Sequence, residues 1–311
     1  MHALKQPAAE AEPAVPPPGV IPHPAAVRSV PARGAAAVPA AARQWRNTQL
    51  RGRLISALLW LVSLSVLFAV WYFGTKYRVD FYIRFTNIPA PGDVFDKLLE
   101  VNRSEKFITN VGISVRRILS GFGIAILIAV PLGLLIGRYR TVRDLLMPIA
   151  EVLRPIPAIA WVPMSIMLWP TNEVSIIYIT FLGSFFPILL NTIHGVTGFD
   201  PVLIRAARCL GAGEGRLFWN VILPGSLPHI FTGLSVGMGV AWVSLIAAEM
   251  ISGQFGVGYF TWEAYSLVNY AEIALGMITI GVLGLACSGA IQMIGSMLMP
   301  WSSYSAGRKD S

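Results

Sequence analysis

Charge is scarce in this chain. Only 13% of its 311 residues are Asp, Glu, Lys or Arg, against about 25% in an ordinary soluble domain. Hydrophobic residues make up 55% and the mean hydropathy is +0.62. That shortage excludes an ordinary soluble enzyme, a disordered protein and a nucleic-acid binder with a large basic surface. Cysteine is nearly absent too. Cys209 and Cys287 are too few for a disulfide framework, and both read as small packing residues. Four scattered histidines, with no CxxC or HExxH spacing, offer no metal cluster. No GxxxxGK[ST] run supplies a phosphate-binding loop. No catalytic residue, metal or cofactor is therefore assigned, and the chain reads as a non-enzyme.

What is present is apolar sequence in long runs. A bilayer core needs about 20 apolar residues per helix. Six runs qualify, at roughly Leu54–Phe73, Ile113–Gly137, Leu145–Trp169, Val174–Val196, Ser226–Met250 and Ile273–Met299. The third is broken by Pro148, Pro155, Pro157 and Pro163. The expected class is an all-α membrane protein of six transmembrane helices. Residues 1–50, with 14 Ala and 9 Pro, cannot bury enough surface to order themselves and read as a disordered tail. Residues 51–107 read as the first span plus an external segment whose DVFDKLLEV stretch forms a short surface helix. Residues 108–300 read as the core, with a polar loop at 197–225, and 301–311 as a second tail.

The excess of cations, a net +8, gives the orientation, because Lys and Arg stay on the cytoplasmic side. Residues 1–53 before the first run, the 138–144 loop, the 197–225 loop and the C-terminus hold seven, three, three and two Lys or Arg. The opposite side holds six, all within 74–108. Both termini and the 197–225 loop are thus expected in the cytoplasm. Glycines recur through the second, fifth and sixth runs, where small residues let helix backbones approach closely.

Residues 200–224, DPVLIRAARCLGAGEGRLFWNVILP, carry the strongest pattern. Asp200 can cap a helix over Pro201–Leu210. Gly211 and Gly213 stop it. A second short helix over Glu214–Ile222 is expected to end at Pro224. Such a knob between two spans suits docking into a groove of a soluble partner, or lying on lipid headgroups. The spacing Ala206-Ala207, Gly211, Val221-Ile222-Leu223-Pro224 resembles the EAA loop of bacterial ABC importer permeases. IPAPGDV at 88–94, LRPIPAIAWVPMSIMLW at 153–169, FFPILLNTIHGV at 185–196 and AWVSLIAAEMI at 241–251 are similar to the nitrate/sulfonate/bicarbonate/taurine branch of that family. One departure is Arg205, where the family usually has Glu.

The resemblance implies a type I ABC importer permease fold. It implies the multi-pass subunit of a bacterial inner-membrane importer for a small oxyanion or organosulfonate (nitrate, sulfonate, taurine or bicarbonate type), working by alternating access. The implied partners are separate cytoplasmic ATPase subunits, a periplasmic substrate-binding protein, a second permease copy and the lipid bilayer, without nucleic acid. The coupling-loop residues it implies are Arg205, Ala206, Ala207, Gly211, Val221, Leu223 and Pro224.

Charges inside spans default to functional hypotheses. Arg116, Arg117 and Glu249 are the substrate-path candidates. The arginines attract an anion, snorkel, or form a structural ion pair, and Glu249 is a structural or gate partner. Glu151 and Arg154 are expected to pair as neighbours on one helix. Asn191, Thr192 and His194 are expected to bond across helices. The short external loop containing Glu173 receives no chemical role. The alternative function is an ion-driven secondary transporter, which predicts inverted repeats and intramembrane acids placed for ion coupling.

Overall fold

The computed structural model describes residues 38–77, 87–101 and 104–301. Residues 1–37, most of the expected tail, and 302–311 lie outside them. All regular structure among the described residues is helical: α1 Val38–Lys76, α2 Pro91–Val101, α3 Glu105–Arg138, α4 Arg140–Leu153, α5 Val162–Leu168, α6 Asn172–Thr197, α7 Pro201–Cys209, α8 Glu214–Leu217, α9 Leu223–Ser252, α10 Val257–Ser266 and α11 Tyr270–Leu298. The chain divides at Val66 into two units. The first ends within α1. That helix begins at Val38, inside the stretch expected to be a tail, and its apolar span covers Ile55–Lys76.

The second unit, from Leu67 onward, is organised by small residues at helix crossings. On α3, Gly121 lies against Thr180, Gly133 against Thr192 and Gly137 against Val196 of α6. Each partner stands 59 positions later. A constant offset means that α3 and α6 run parallel and in register over four turns. On α9 the pairing reverses: Gly233 meets Asn191 and Gly237 meets Ile188, so α9 runs antiparallel to α6. Gly295 against Phe231 and Gly284 near Trp242 make α11 antiparallel to α9 in turn. The glycine-packing expectation therefore holds at these crossings. It does not hold for Gly123, Gly239, Gly281 and Gly289, where an added Cβ would meet nothing within 4 Å.

Two parallel helices joined in sequence need a return crossing between them, and α4 with α5 provides it. Among the described residues five helices are long and apolar enough to span a bilayer, and this pair, bent by 83°, counts as a sixth when taken as one broken span. The third run is thus two helices rather than one kinked helix. Pro148 sits inside α4 without ending it, and Pro163 sits in the first turn of α5, where a missing N–H costs nothing. The break falls at Arg154-Pro155-Ile156-Pro157, where Pro157 turns the chain out of helical geometry at ψ 138°. Glu151 and Arg154 do not pair, and both are exposed.

Through the middle of α6, at Thr180, Ser184, Asn191 and Thr192, the polar side chains bond backward to their own helix. Thr192 Oγ1 donates to Ile188 O at 2.8 Å and Asn191 Nδ2 to Pro187 O at 2.8 Å. This corrects the interhelical expectation for both. Their aliphatic parts are what α3 and α9 press against, which leaves the polar atoms to their own helix.

Overfilling a crossing is expected to cost about 1–3 kcal/mol. Gly133→Ala, which places a Cβ 2.7 Å from Thr192 Cβ, should lower the melting temperature of the purified protein in detergent. Gly123→Ala should leave it unchanged or raise it.

Candidate functional site

The knob at 197–225 is built from standard stop and start signals. The Asp200 carboxylate accepts from Val202 N at 2.8 Å and Pro201 opens α7. The helix closes in a Schellman arrangement: Ala212 N donates to Ala207 O at 3.1 Å, with Gly211 at φ +81°. Gly211 is therefore at the apex because that backbone conformation is strained for any side chain. The knob is anchored on one side by a small apolar cluster. Ile204 and Ala207 on α7 pack against Val196, Leu217 and Ile222. It is anchored on the other by Glu214, whose carboxylate accepts from Arg208 at 2.8 Å and from Arg138 at the end of α3.

The second half departs from expectation. Pro224 does not end a helix; it lies in the first turn of α9. Between α8 and α9 the chain makes one wide π turn, Phe218–Ile222, in which Leu223 N donates to Phe218 O. Pro224 has no N–H to continue the ordinary ladder, and the wide turn carries the helix past it.

The predicted coupling residues therefore separate into two groups. Ala207, Val221, Leu223 and Pro224 are half-buried at the knob's root, and Val221 and Leu223 pack onto the protein's apolar clusters. Arg205, Ala206 and Gly211 are exposed. Cys209, expected to be a packing residue, is exposed as well, and Leu210 is 89% exposed.

At the opposite end, where α6 begins and α9 ends, lies a second constellation. Arg117 of α3 is 2% exposed and Glu249 of α9 is 0% exposed. Arg117 Nη1 donates to Glu249 Oε1 at 2.9 Å and to the Phe255 carbonyl. Its Nε and Nη2 donate to Glu173 Oε2 at 2.9 and 2.6 Å. The exposed Arg116 donates to Glu173 Oε1 at 2.7 Å. Glu249 also accepts from Ser114 Oγ at 2.8 Å and Gly258 N at 2.9 Å. Asn110 Oδ1 accepts from Gly256 N at 3.0 Å, where φ is +133° and the Glu249 carboxyl leaves no room for a Cβ.

Three helices, α3, α6 and α9, and the loop before α10 thus meet on one guanidinium. Both of its edges are occupied by protein oxygens, so Arg117 forms an ion pair and does not snorkel to lipid. Glu173, given no role from the sequence, is the residue that joins the two arginines. Two adjacent cations in a span imply acids at the same depth on neighbouring helices. With α9 antiparallel to α6, the start of one and the end of the other supply them.

Removing one member of a buried ion pair leaves an uncompensated charge and typically costs about 3–5 kcal/mol. Arg117→Ala should therefore lower the melting temperature in detergent sharply. Adding Glu249→Gln should recover part of the loss, and Arg116→Ala alone should have little effect.

The sequence profile of the binding-protein-dependent transport system inner membrane component matches residues 129–300, from the second half of α3 to the end of α11. A putative ABC transporter permease protein of Methanocaldococcus jannaschii is 45% identical over 195 residues, covering 62% of this chain and 73% of its own length. The taurine transport system permease protein of Escherichia coli is 32% identical, covering 77% and 88%. The nitrate import permease protein of Synechocystis is 31% identical, also covering 77% and 88%. With that profile spanning more than half of the sequence, and a knob between α6 and α9 built as described, this chain belongs to the family of inner-membrane permease components of binding-protein-dependent ABC transport systems.

Proposed function

We propose that this permease conducts a small oxyanion or organosulfonate, of the nitrate or taurine type transported by its relatives, across a bacterial inner membrane. It works as a two-fold pair of copies, with both termini and the knob in the cytoplasm. A separate ATPase subunit seats on the knob, and a periplasmic substrate-binding protein delivers substrate at the Arg117 end.

The observation that carries this reading is the construction of the knob. A short helix capped at both ends is tied by Glu214 to the far end of α3 and rooted by a continuous helix in α9. α3 and α9 both run from the knob to the Arg117–Glu249 cluster. Movement of an ATPase at one end would therefore reach the other through two packed helices. Linkage then requires the reverse as well: substrate delivery outside alters ATP hydrolysis inside.

At the outer end Arg117 and Glu249 hold helices together. Arg116 is paired with Glu173 but has 68% of its side chain exposed, and it is the cation of this cluster that an approaching anion can reach. This division assigns the candidates different roles, two positioning and one attracting.

Two experiments test the reading. In a Cys287→Ser background, a membrane-impermeant thiol reagent should label the exposed Cys209 in inside-out vesicles and not in intact cells. Labelling from outside would invert the topology. Gly211→Val forces a β-branched residue to φ +81°, at a strain of about 1–3 kcal/mol. It should abolish co-purification of the ATPase subunit and ATP-driven uptake while the bundle keeps its melting temperature. An ion-driven transporter would keep its uptake.

A further inference from the structure

The face that α7 turns away from the protein has a composition that names its counterpart. Ile204 and Ala207 point inward to the apolar anchor. Val202, Arg205, Ala206 and Cys209, at i, i+3, i+4 and i+7, form one exposed stripe on the opposite side. Three of the four are small or short, so the Arg205 side chain stands above its neighbours. Among the described residues no carboxylate lies within ion-pair distance of Arg205. The nearby acids are occupied: Glu214 by Arg138 and Arg208, and Asp200 by the Val202 N–H. The stripe thus presents one unmatched cation on a smooth surface, bordered at its end by the protruding Leu210.

We propose that the groove of the ATPase subunit that receives this knob carries a carboxylate opposite Arg205 and an apolar pocket for Leu210, so that this one charge selects the cognate ATPase. The inference rests on the reading of the knob as the ATPase seat. A guanidinium on a surface of small residues matches a carboxylate with two parallel N–H···O bonds. Such a pair is worth little in open water and much more once a groove closes over it. The mismatched charge is repelled, which gives discrimination between ATPases. Lipid headgroups are the lesser match. An interfacial helix gains its binding from large apolar side chains inserted together below the headgroups, whereas here only Val202 lies on the stripe, with Leu203 on its flank and Leu210 beyond its end.

The test uses the purified permease in nanodiscs of zwitterionic lipid, titrated with the ATPase subunit that co-purifies with the wild-type chain. Arg205→Glu should weaken binding by about tenfold or more, and Arg205→Lys by much less, since the charge survives without the fork. Raising the salt should weaken the wild type more than Arg205→Glu. Reversing the groove carboxylate to Lys in the ATPase should restore binding to Arg205→Glu and weaken it to the wild type. Ala206→Leu, which roughens the stripe without altering charge, should weaken binding at every salt concentration. Equal binding of Arg205→Glu and wild type would overturn the proposal and leave the importer reading standing. So would a defect that appears only in nanodiscs containing anionic lipid. Failure of the wild type to bind any ATPase subunit would overturn the importer reading, and this inference with it.

Discussion

The close approach of α3, α6 and α9 is the constraint on which everything else hangs. In lipid there is no hydrophobic reward for bringing helices together, so association depends on backbone-to-side-chain contact at short range. Glycine on one helix and Thr, Val, Asn or Ile on its neighbour supply that contact at regular intervals. The fixed offset between α3 and α6 sets which residues share a depth. It brings the start of α6 beside Arg117, and the end of α6 level with Arg138. Both polar constellations, one at each end, follow from a register determined in between.

The two ends use charge differently. At the Arg117 end the ions are buried and mutually satisfied. Breaking one contact there exposes an unpaired charge to a low-dielectric interior, so the arrangement favours a single geometry. At the knob, Glu214 and Arg208 are more than half exposed and Arg138 partly so, and such contacts are weak and can be remade. The knob end can therefore rearrange at little cost, while the Arg117 end holds its side chains in place. Lys97 adds a tie at the same end as Arg117, binding Glu272 of α11 at 3.1 Å while also reaching Glu100 on its own helix.

Much of this was legible in the sequence, and the misses have physical causes. Apolar run length gave five of the spans directly, because the bilayer imposes a minimum helix length. The third run has the composition of a span but not the geometry of one, since prolines two apart at 155 and 157 redirect the backbone without altering hydropathy. The landmarks of the knob were readable because caps and left-handed glycines are local. Which face of α7 looks outward was not, because Ala206 and Ala207 are chemically identical and only the packing of Leu217 and Ile222 distinguishes them. Glu173 escaped notice for a related reason. Its partner is 56 residues away in sequence, and only the parallel register of two helices places them together.

The wide turn at Phe218–Ile222 has a broader consequence. A π turn holds one more residue than the α turn it replaces, so counting by 3.6 from α9 back into α8 assigns the wrong face to every side chain beyond it. The knob is thereby turned by one residue's step from the phase that α9 alone would give it, while its helix stays continuous with the bundle.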